Sequence, residues 1–424
     1  MNIVDKIADI FDWILTSNPK LSSPKILSIY LKAGRPSFFK DFVLAAAKLG
    51  HLDCLREATN DGKNLFEGLC TAAASGGHLE TLQWLWSKNC PWNADTCAEA
   101  AKNGHWKVLV WAKGQSCPMD SRVIYHANEA NNEPIVKWAA SQGLTPDSVC
   151  SSAARFGHLN VLIWAKYHGY PINSETYVNA ARGGHLEVLK WLLSNDNHLC
   201  SPYHDHDHDH DHDYDHDHDY DHDHHHIGSH YRPPWVEDMC AAAAEGGYLE
   251  VLEWLRSNDC PWDVNTTCAA ALKGHLKILI WAVVHGCPVN DTVAINAAIG
   301  GHLKIIKWLQ ANYYPCVWNE IAIHATLHGH LECLKYAHEY GADLGPQISI
   351  HAAMQGYLEI LKWAFVHGCC HGPETCAAAA KSGRLDILIW LHEQRCPWDC
   401  QTWIYGKDYD YLADWLEKNG CPKS

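Results

Sequence analysis

Histidine and cysteine are the residues of this chain whose chemistry and spacing first suggest a function. The 424 residues include 31 histidines and 19 cysteines. Both side chains bind transition metals, and histidine also acts as a general acid or base near neutral pH. Their spacing therefore decides whether they converge on one site or are spread along the chain.

One set of histidines lies in a continuous run, residues 204–226, which contains eleven His, ten Asp and two Tyr. Neutral imidazole is a ligand for Zn²⁺, Cu²⁺ and Ni²⁺, so the run is a candidate for weak metal binding. Its histidines would also gain charge below about pH 6. Because the run has no apolar face, we expect it to be disordered, and a spacer without a function is a third interpretation. The candidate metal ligands are His204, His206, His208, His210, His212, His216, His218, His222, His224, His225 and His226.

A second set of histidines recurs at a regular interval, at a position that follows a glycine and that we call the marker. Successive markers are 25–28 residues apart, except for one gap of 63 residues. Groups that recur once per unit would lie about 10 Å apart, whereas zinc ligands lie within about 2–2.3 Å of one ion. The marker histidines are therefore expected to cap helices and to bridge neighbouring units. The markers are His51, His78, His105, Asn132, His158, His185, Tyr248, His275, His302, His330, Tyr357, Arg384 and Tyr409.

Short helices are the elements that would hold these side chains. The first half of each unit is rich in alanine, the best helix former, and follows a threonine expected to be the N-cap (Thr96, Thr176, Thr375). The second half has bulky apolar residues at helical spacing, including a Trp or Tyr six residues after most markers that we expect in the core. Glycine separates the halves, and a turn such as Cys-Pro-Trp ends the unit. About thirteen helix–turn–helix units thus fill the chain.

Neither helix of a unit is long enough to be stable alone, so the units must stack. We predict an all-α solenoid with the alanine-rich helices close together on its inner side. A helical cap is expected over residues 1–40, a first block of repeats over 41–198, a disordered linker over 199–233, and a second block with a C-terminal cap over 234–424. Because the linker replaces one loop between units, one continuous stack is expected across it.

The repeat resembles the ankyrin repeat. Its pattern T-x-x-x-A-A-x-x-G-H-L-E-V-L-K-W-L matches that family's T-P-L-H-x-A-A-x-x-G-H-x-x-x-V-x-x-L-L core over nearly the whole chain past residue 40. The period of 27 residues is shorter than the family's usual value of about 33, which indicates β-hairpin fingers reduced to short turns. The variant with G-H-L-E and C-P-W resembles arrays of giant viruses and protists. The resemblance implies a protein-binding role on the concave face.

Composition narrows the function further. The formal net charge is −16 and no basic patch is evident, so nucleic acid is not an expected partner. No apolar run approaches the ~20 residues needed to cross a membrane. Periodic cysteines, one repeat apart and so beyond disulfide range, indicate reduced thiols in a cytosolic setting, which is the host cytoplasm if the chain is viral. Phosphate-binding loops and the motifs G-x-S-x-G and H-E-x-x-H are missing, so no enzyme is expected.

The leading hypothesis is a monomeric, non-enzymatic scaffold that binds protein partners without a cofactor. One alternative is a metal- or pH-responsive protein that acts through the His/Asp run, and another is a substrate adaptor that recruits a ubiquitin ligase with its N-terminal helices. Contact residues should be exposed and should vary between units. They are Asn93, Asp95, Lys102, Asn103, Asp120, Arg122, Arg155, Glu175, Arg182, Glu245, Asn265, Lys273, Asp291, Gln347, Glu374 and Lys381.

Overall fold

A computed structural model describes residues 36–144, 146–195, 238–369 and 371–423. Over these residues the chain forms 26 helices and no strand, which confirms the predicted all-α fold. The chain divides into two compact units, Met1–Asn195 and Asp196–Ser424, called unit 1 and unit 2 below. The His/Asp run, the linker at 199–233 and most of the predicted N-terminal cap lie outside the described residues, and the prediction of one continuous stack stays a prediction.

Unit 1 contains six helix pairs within its described residues, and the first begins at Pro36, inside the segment expected to be the cap. In chain order the helices are α1 (Pro36–Lys48), α2 (Leu52–Ala58), α3 (Leu69–Ser75), α4 (Leu79–Ser87), α5 (Ala94–Lys102), α6 (Trp106–Gly114), α7 (Arg122–Glu129), α8 (Glu133–Ser141), α9 (Pro146–Arg155), α10 (Leu159–Tyr167), α11 (Ser174–Gly183) and α12 (Leu186–Asn195).

Unit 2 contains seven helix pairs within its described residues. They are α13 (Asp238–Gly246), α14 (Leu249–Ser257), α15 (Val264–Leu272), α16 (Leu276–Val284), α17 (Asp291–Ile299), α18 (Leu303–Ala311), α19 (Trp318–Leu327), α20 (Leu331–Glu339), α21 (Pro346–Gln355), α22 (Leu358–Val366), α23 (Pro373–Lys381), α24 (Leu385–Glu393), α25 (Cys400–Gly406) and α26 (Asp410–Lys418).

Within each unit the odd-numbered first helix of a pair packs against the first helix of the next pair. Over most of their length these helices have Cα atoms within 8 Å of each other, whereas few Cα atoms of successive second helices come so close. Alanine allows this approach, since residues such as Ala100, Ala243 and Ala297 are fully buried and carry no bulk beyond Cβ. The prediction that the alanine-rich helices are the closely packed ones is confirmed.

The N-caps of the first helices are not the predicted threonines. Asn93 caps α5 and Asn173 caps α11, each three residues before Thr96 and Thr176. Thr176 instead forms the second half of a capping box, where its hydroxyl accepts a hydrogen bond from the Asn173 backbone N–H. Asn is at least as good a cap as threonine, and in both helices the asparagine of the preceding turn takes this role. Thr375 likewise follows its N-cap, Gly372, by three residues.

The marker histidines bridge neighbouring pairs, as predicted, but their side chains do not cap the second helices. In six of them Nε2 instead meets a carbonyl in the last two residues of the first helix of the preceding pair, where carbonyls have no partner within the helix. Because a carbonyl only accepts, Nε2 must carry the proton. At 2.7–3.2 Å, Nε2 of His105, His158, His185, His275, His302 and His330 donates to the carbonyls of Ser75, Asn128, Arg155, Glu245, Leu272 and Ile299.

The marker rings also explain the glycines beside them. Gly157, with φ of +77°, lies under the ring of His185, where an added Cβ would stand 2.5 Å from Nδ1. Arg384 and Tyr409 replace histidine at two markers and keep the bridge, since Arg384 Nη2 donates to Gln355 O at 3.1 Å and the Tyr409 hydroxyl donates to Lys381 O at 3.2 Å. At these two markers the bridge is therefore kept without an imidazole.

The loop cysteines form a second set of links between successive loops. The thiol of Cys117 donates to Asn93 O at 3.6 Å, and that of Cys287 to Asp263 O at 3.2 Å. All the described cysteines are free thiols, and most are buried. Cysteines from two different positions of one repeat also meet, since Cys70 Sγ lies 3.9 Å from the carbonyl of Cys90, a contact that the periodic positions did not predict.

The tryptophans of the second helices were expected in the core, and this expectation is wrong for most of them. Of the described tryptophans six residues after a marker, only Trp84 is buried, at 8% exposure, and the others are half-buried. The core position lies two residues earlier on the helix, at residues such as Leu109 and Leu279, which are fully buried. Trp86 and Trp106, elsewhere on second helices, are exposed. The half-buried indoles pack edge to face on the loop tryptophans, as Trp111 does on Trp92 with ring centroids 6.0 Å apart.

Candidate interaction surface

Two adjoining grooves cross the first helices of unit 1. The larger, of about 760 Å³, runs over α1, α3, α5 and α7, and the smaller, of about 310 Å³, runs over α7, α9 and α11. Arg122 lines both. We call the first-helix surface that these grooves follow the open face.

The residues of the open face occupy a fixed set of positions in each repeat. Counted back from the marker, they are the tenth, seventh, sixth and third residues, which share one side of a helix of 3.6 residues per turn. On α5 and α9 these residues are Asp95, Ala98, Glu99 and Lys102, and Ser148, Ser151, Ser152 and Arg155. Because the positions are equivalent, each repeat adds one column of variable side chains to the surface.

The chemistry of the open face in unit 1 is polar and of mixed charge. Arg122 donates to both carboxylate oxygens of Asp120, at 2.8–3.1 Å, and also to Asp95 of the preceding repeat. These hydrogen bonds from Arg122 hold the pKa of Asp120 below its usual range. Lys102 and Arg155 make no ion pair within the described residues, so their charges remain available to a partner.

The sixteen predicted contact residues are all exposed or half-exposed. Two of those in unit 1 lie beside the grooves and bond to groove residues: Asp120 pairs with Arg122, and Arg182 donates to Asn179 Oδ1 at 3.4 Å. Seven line the grooves themselves: Asn93, Asp95, Lys102, Asn103, Arg122, Arg155 and Glu175. The seven in unit 2 lie on its first helices or just after them: Glu245, Asn265, Lys273, Asp291, Gln347, Glu374 and Lys381.

The same open-face positions carry a different chemistry in unit 2. Three residues before the marker, unit 1 has Lys48, Lys102, Arg155 and Arg182 in four of its repeats, whereas four consecutive repeats of unit 2 have Leu272, Ile299, Leu327 and Met354. Seven residues before the marker, the same four repeats carry Cys268, Ile295, Ile323 and Ile350. These eight residues are half-buried. The sequence-based prediction of contact residues did not include them, although apolar residues at these positions recur at one-repeat intervals in the sequence.

Metal and membrane functions find no support in the part of the chain that the structure describes. It contains no group of three or more His, Cys, Asp or Glu side chains that could hold a metal ion. None of its helices has the length and apolar character needed to cross a bilayer. The eleven candidate metal ligands of the His/Asp run lie outside the described residues.

Comparison with protein-family models finds no match to this chain, and comparison with curated proteins finds none either. The proposed function therefore rests on the geometry that repeats along this chain.

Proposed function

We propose that the chain is a non-enzymatic scaffold that binds protein partners on the open faces of its two units. The single observation that carries the proposal is that structural contacts and variable surface residues occupy different positions of the repeat. Marker and loop residues make the same backbone contacts from one repeat to the next, as His185 and Cys117 do. The open-face residues make no such recurring contact and differ between repeats, which is what recognition of a partner requires.

The resemblance to ankyrin repeats supports the same proposal, because arrays of that family commonly bind proteins on the concave side. No strand forms in the described loops, so the ankyrin-like fingers are replaced by turns such as residues 88–93. The first helices are then left to supply most of the contact surface. A cytosolic setting is part of the proposal, since it keeps the buried thiols reduced.

Affinity purification of the full chain from its native cell, followed by mass spectrometry, tests the proposal. Lys102→Glu and Arg155→Glu reverse two unpaired charges of the open face in unit 1, and Lys107→Glu makes the same change on the exposed side of α6. We expect partners that wild type and the Lys107 variant retain but the open-face variants lose. Partners lost equally with all three variants, or no partners at all, would contradict the proposal.

A further inference from the structure

Two parallel apolar rows cross the open face of unit 2. The Leu272 row consists of Leu272, Ile299, Leu327 and Met354, and the Ile295 row consists of Cys268, Ile295, Ile323 and Ile350. Along each first helix the rows are four residues apart, which is about 6 Å. Each row therefore presents one side chain from each of α15, α17, α19 and α21.

The fold does not need these residues to be apolar. The core contacts of α17 are made by other residues, such as Val293 and Ala297, both fully buried. At the position of the Leu272 row, unit 1 carries Lys102 and Arg155 on the same kind of helix. Half-exposed apolar side chains gather there across four consecutive repeats, and such a contiguous patch marks a binding surface.

The spacing of the rows favours a helical partner. Packed helices lie about 8–10 Å apart, so successive residues of one row are separated by about that distance. Seven residues of an α-helix rise about 10.5 Å, and residues i, i+3, i+4 and i+7 share one face. In an extended strand, residues on one face are about 6.6–6.8 Å apart, which does not match the interval.

One charged residue lies on each side of the two rows. Glu320 is exposed near the N-terminal end of α19, with Oε2 4.0 Å from Nε2 of His324, and Lys273 is exposed just after α15, with Nζ 3.7 Å from Glu245. Between the rows lie His324 and His351, at equivalent positions of α19 and α21, and burial lowers the pKa of His351, which favours its neutral form. The apolar rows thus have one acidic side chain at one edge, one basic side chain at the other and two histidines between them.

We propose that unit 2 binds an amphipathic α-helix of a protein partner, laid across α15, α17, α19 and α21. The apolar stripe of this helix contacts the Leu272 row and the Ile295 row, a basic residue on one side of the stripe faces Glu320, and an acidic residue on the other side faces Lys273. Three intervals between first helices correspond to about 16–20 helical residues. The inference rests on the proposed scaffold function and assigns a partner class to one of its two faces.

Selection of a displayed library of random 21-residue peptides on the immobilised full chain tests this inference. Enriched peptides should show apolar residues at intervals of three, four and seven and should become helical on binding. Ile299→Lys and Leu327→Lys place a basic residue where repeats of unit 1 carry Lys102 and Arg155, so folding should be retained. Each variant should weaken binding of the enriched peptides by at least about tenfold.

Val284→Lys and Val366→Lys are the matched controls, because these valines are 74% and 79% exposed on second helices. They should leave peptide binding unchanged. Enriched peptides without helical periodicity, or binding that Ile299→Lys and Leu327→Lys leave intact, would overturn the inference. If such peptides are instead lost with Lys102→Glu, the scaffold proposal survives and only the inference about unit 2 fails. If no peptide is enriched, both are contradicted.

Discussion

Replacing Gly157 with alanine should destabilise the chain more than the same replacement at Gly169. Both glycines have a positive φ, +77° and +76°. An L-residue in that conformation costs about 1–2 kcal/mol, so this contribution is the same at the two sites. The surroundings differ, because a Cβ on Gly157 would lie 2.5 Å from Nδ1 of His185, whereas no atom of the described residues lies within 4 Å of a Cβ on Gly169.

The extra cost at Gly157 follows from the bridge. A methyl group there must displace the imidazole of His185, whose Nε2 donates to Arg155 O at 3.0 Å. A carbonyl that loses its hydrogen bond in a partly buried position costs about 1–3 kcal/mol. We therefore expect Gly157→Ala to lower the free energy of unfolding by about 1–3 kcal/mol more than Gly169→Ala.

Urea unfolding of the full chain, followed by far-ultraviolet circular dichroism, measures both losses. The double variant Gly157→Ala/His185→Ala supplies a further check, because removal of the ring should remove the clash. In the His185→Ala background, Gly157→Ala should then cost no more than Gly169→Ala does in wild type. Equal losses for the two single variants, or an undiminished loss in the double variant, would refute the account of the glycine–histidine contact.

Three further predictions concern buried histidine and cysteine. Burial lowers the pKa of His78, His185 and His302, so the unfolded chain binds protons first, near pH 6.5, and stability should fall as the pH drops below that value. In a variant with Gln at all three positions, the urea midpoint should change less between pH 7.5 and 5.5 than it does in wild type. An equal change of the midpoint in the two proteins would contradict this prediction. His371→Trp should raise the urea midpoint, because both ring nitrogens of His371 are buried without a partner among the described residues and this position carries a tryptophan in other loops. A lower midpoint would contradict this prediction. Burial raises the pKa of Cys287 to about 12, so iodoacetamide at pH 8 should modify this thiol only after addition of urea. Peptide mass mapping measures the modification. Rapid modification of the native chain would contradict the prediction.

The period of the sequence was sufficient to predict the helix pairs and their order. When they recur at a fixed interval, an alanine-rich half and a bulky apolar half each indicate a helix, and the glycine between them indicates a turn. The described helices follow this pattern. The threonine caps were mispredicted because Thr96 and Asn93 are both acceptable cap residues, and only the course of the loop before α5 decides between them. The tryptophans were mispredicted because an indole at a helical apolar position can be covered by a loop rather than by the core.

The open face was harder to predict than the fold. Polar residues such as Lys102 and Arg155 could be predicted because they vary between repeats and charged side chains are mostly exposed. The apolar residues of the Leu272 row were missed, because periodicity alone does not tell a half-exposed leucine from a core leucine. That distinction depends on which side of the first helix is covered by its neighbours, which only the packing of successive pairs reveals.

Hydrogen–deuterium exchange of the full chain, with and without a partner captured from the native cell, tests the central claim most directly. If the open faces are the binding surfaces, the partner should slow exchange in first helices such as α5, α9 or α19 and leave the second helices unchanged. Protection confined to second helices such as α6 and α16, with the first helices unaffected, would contradict the account.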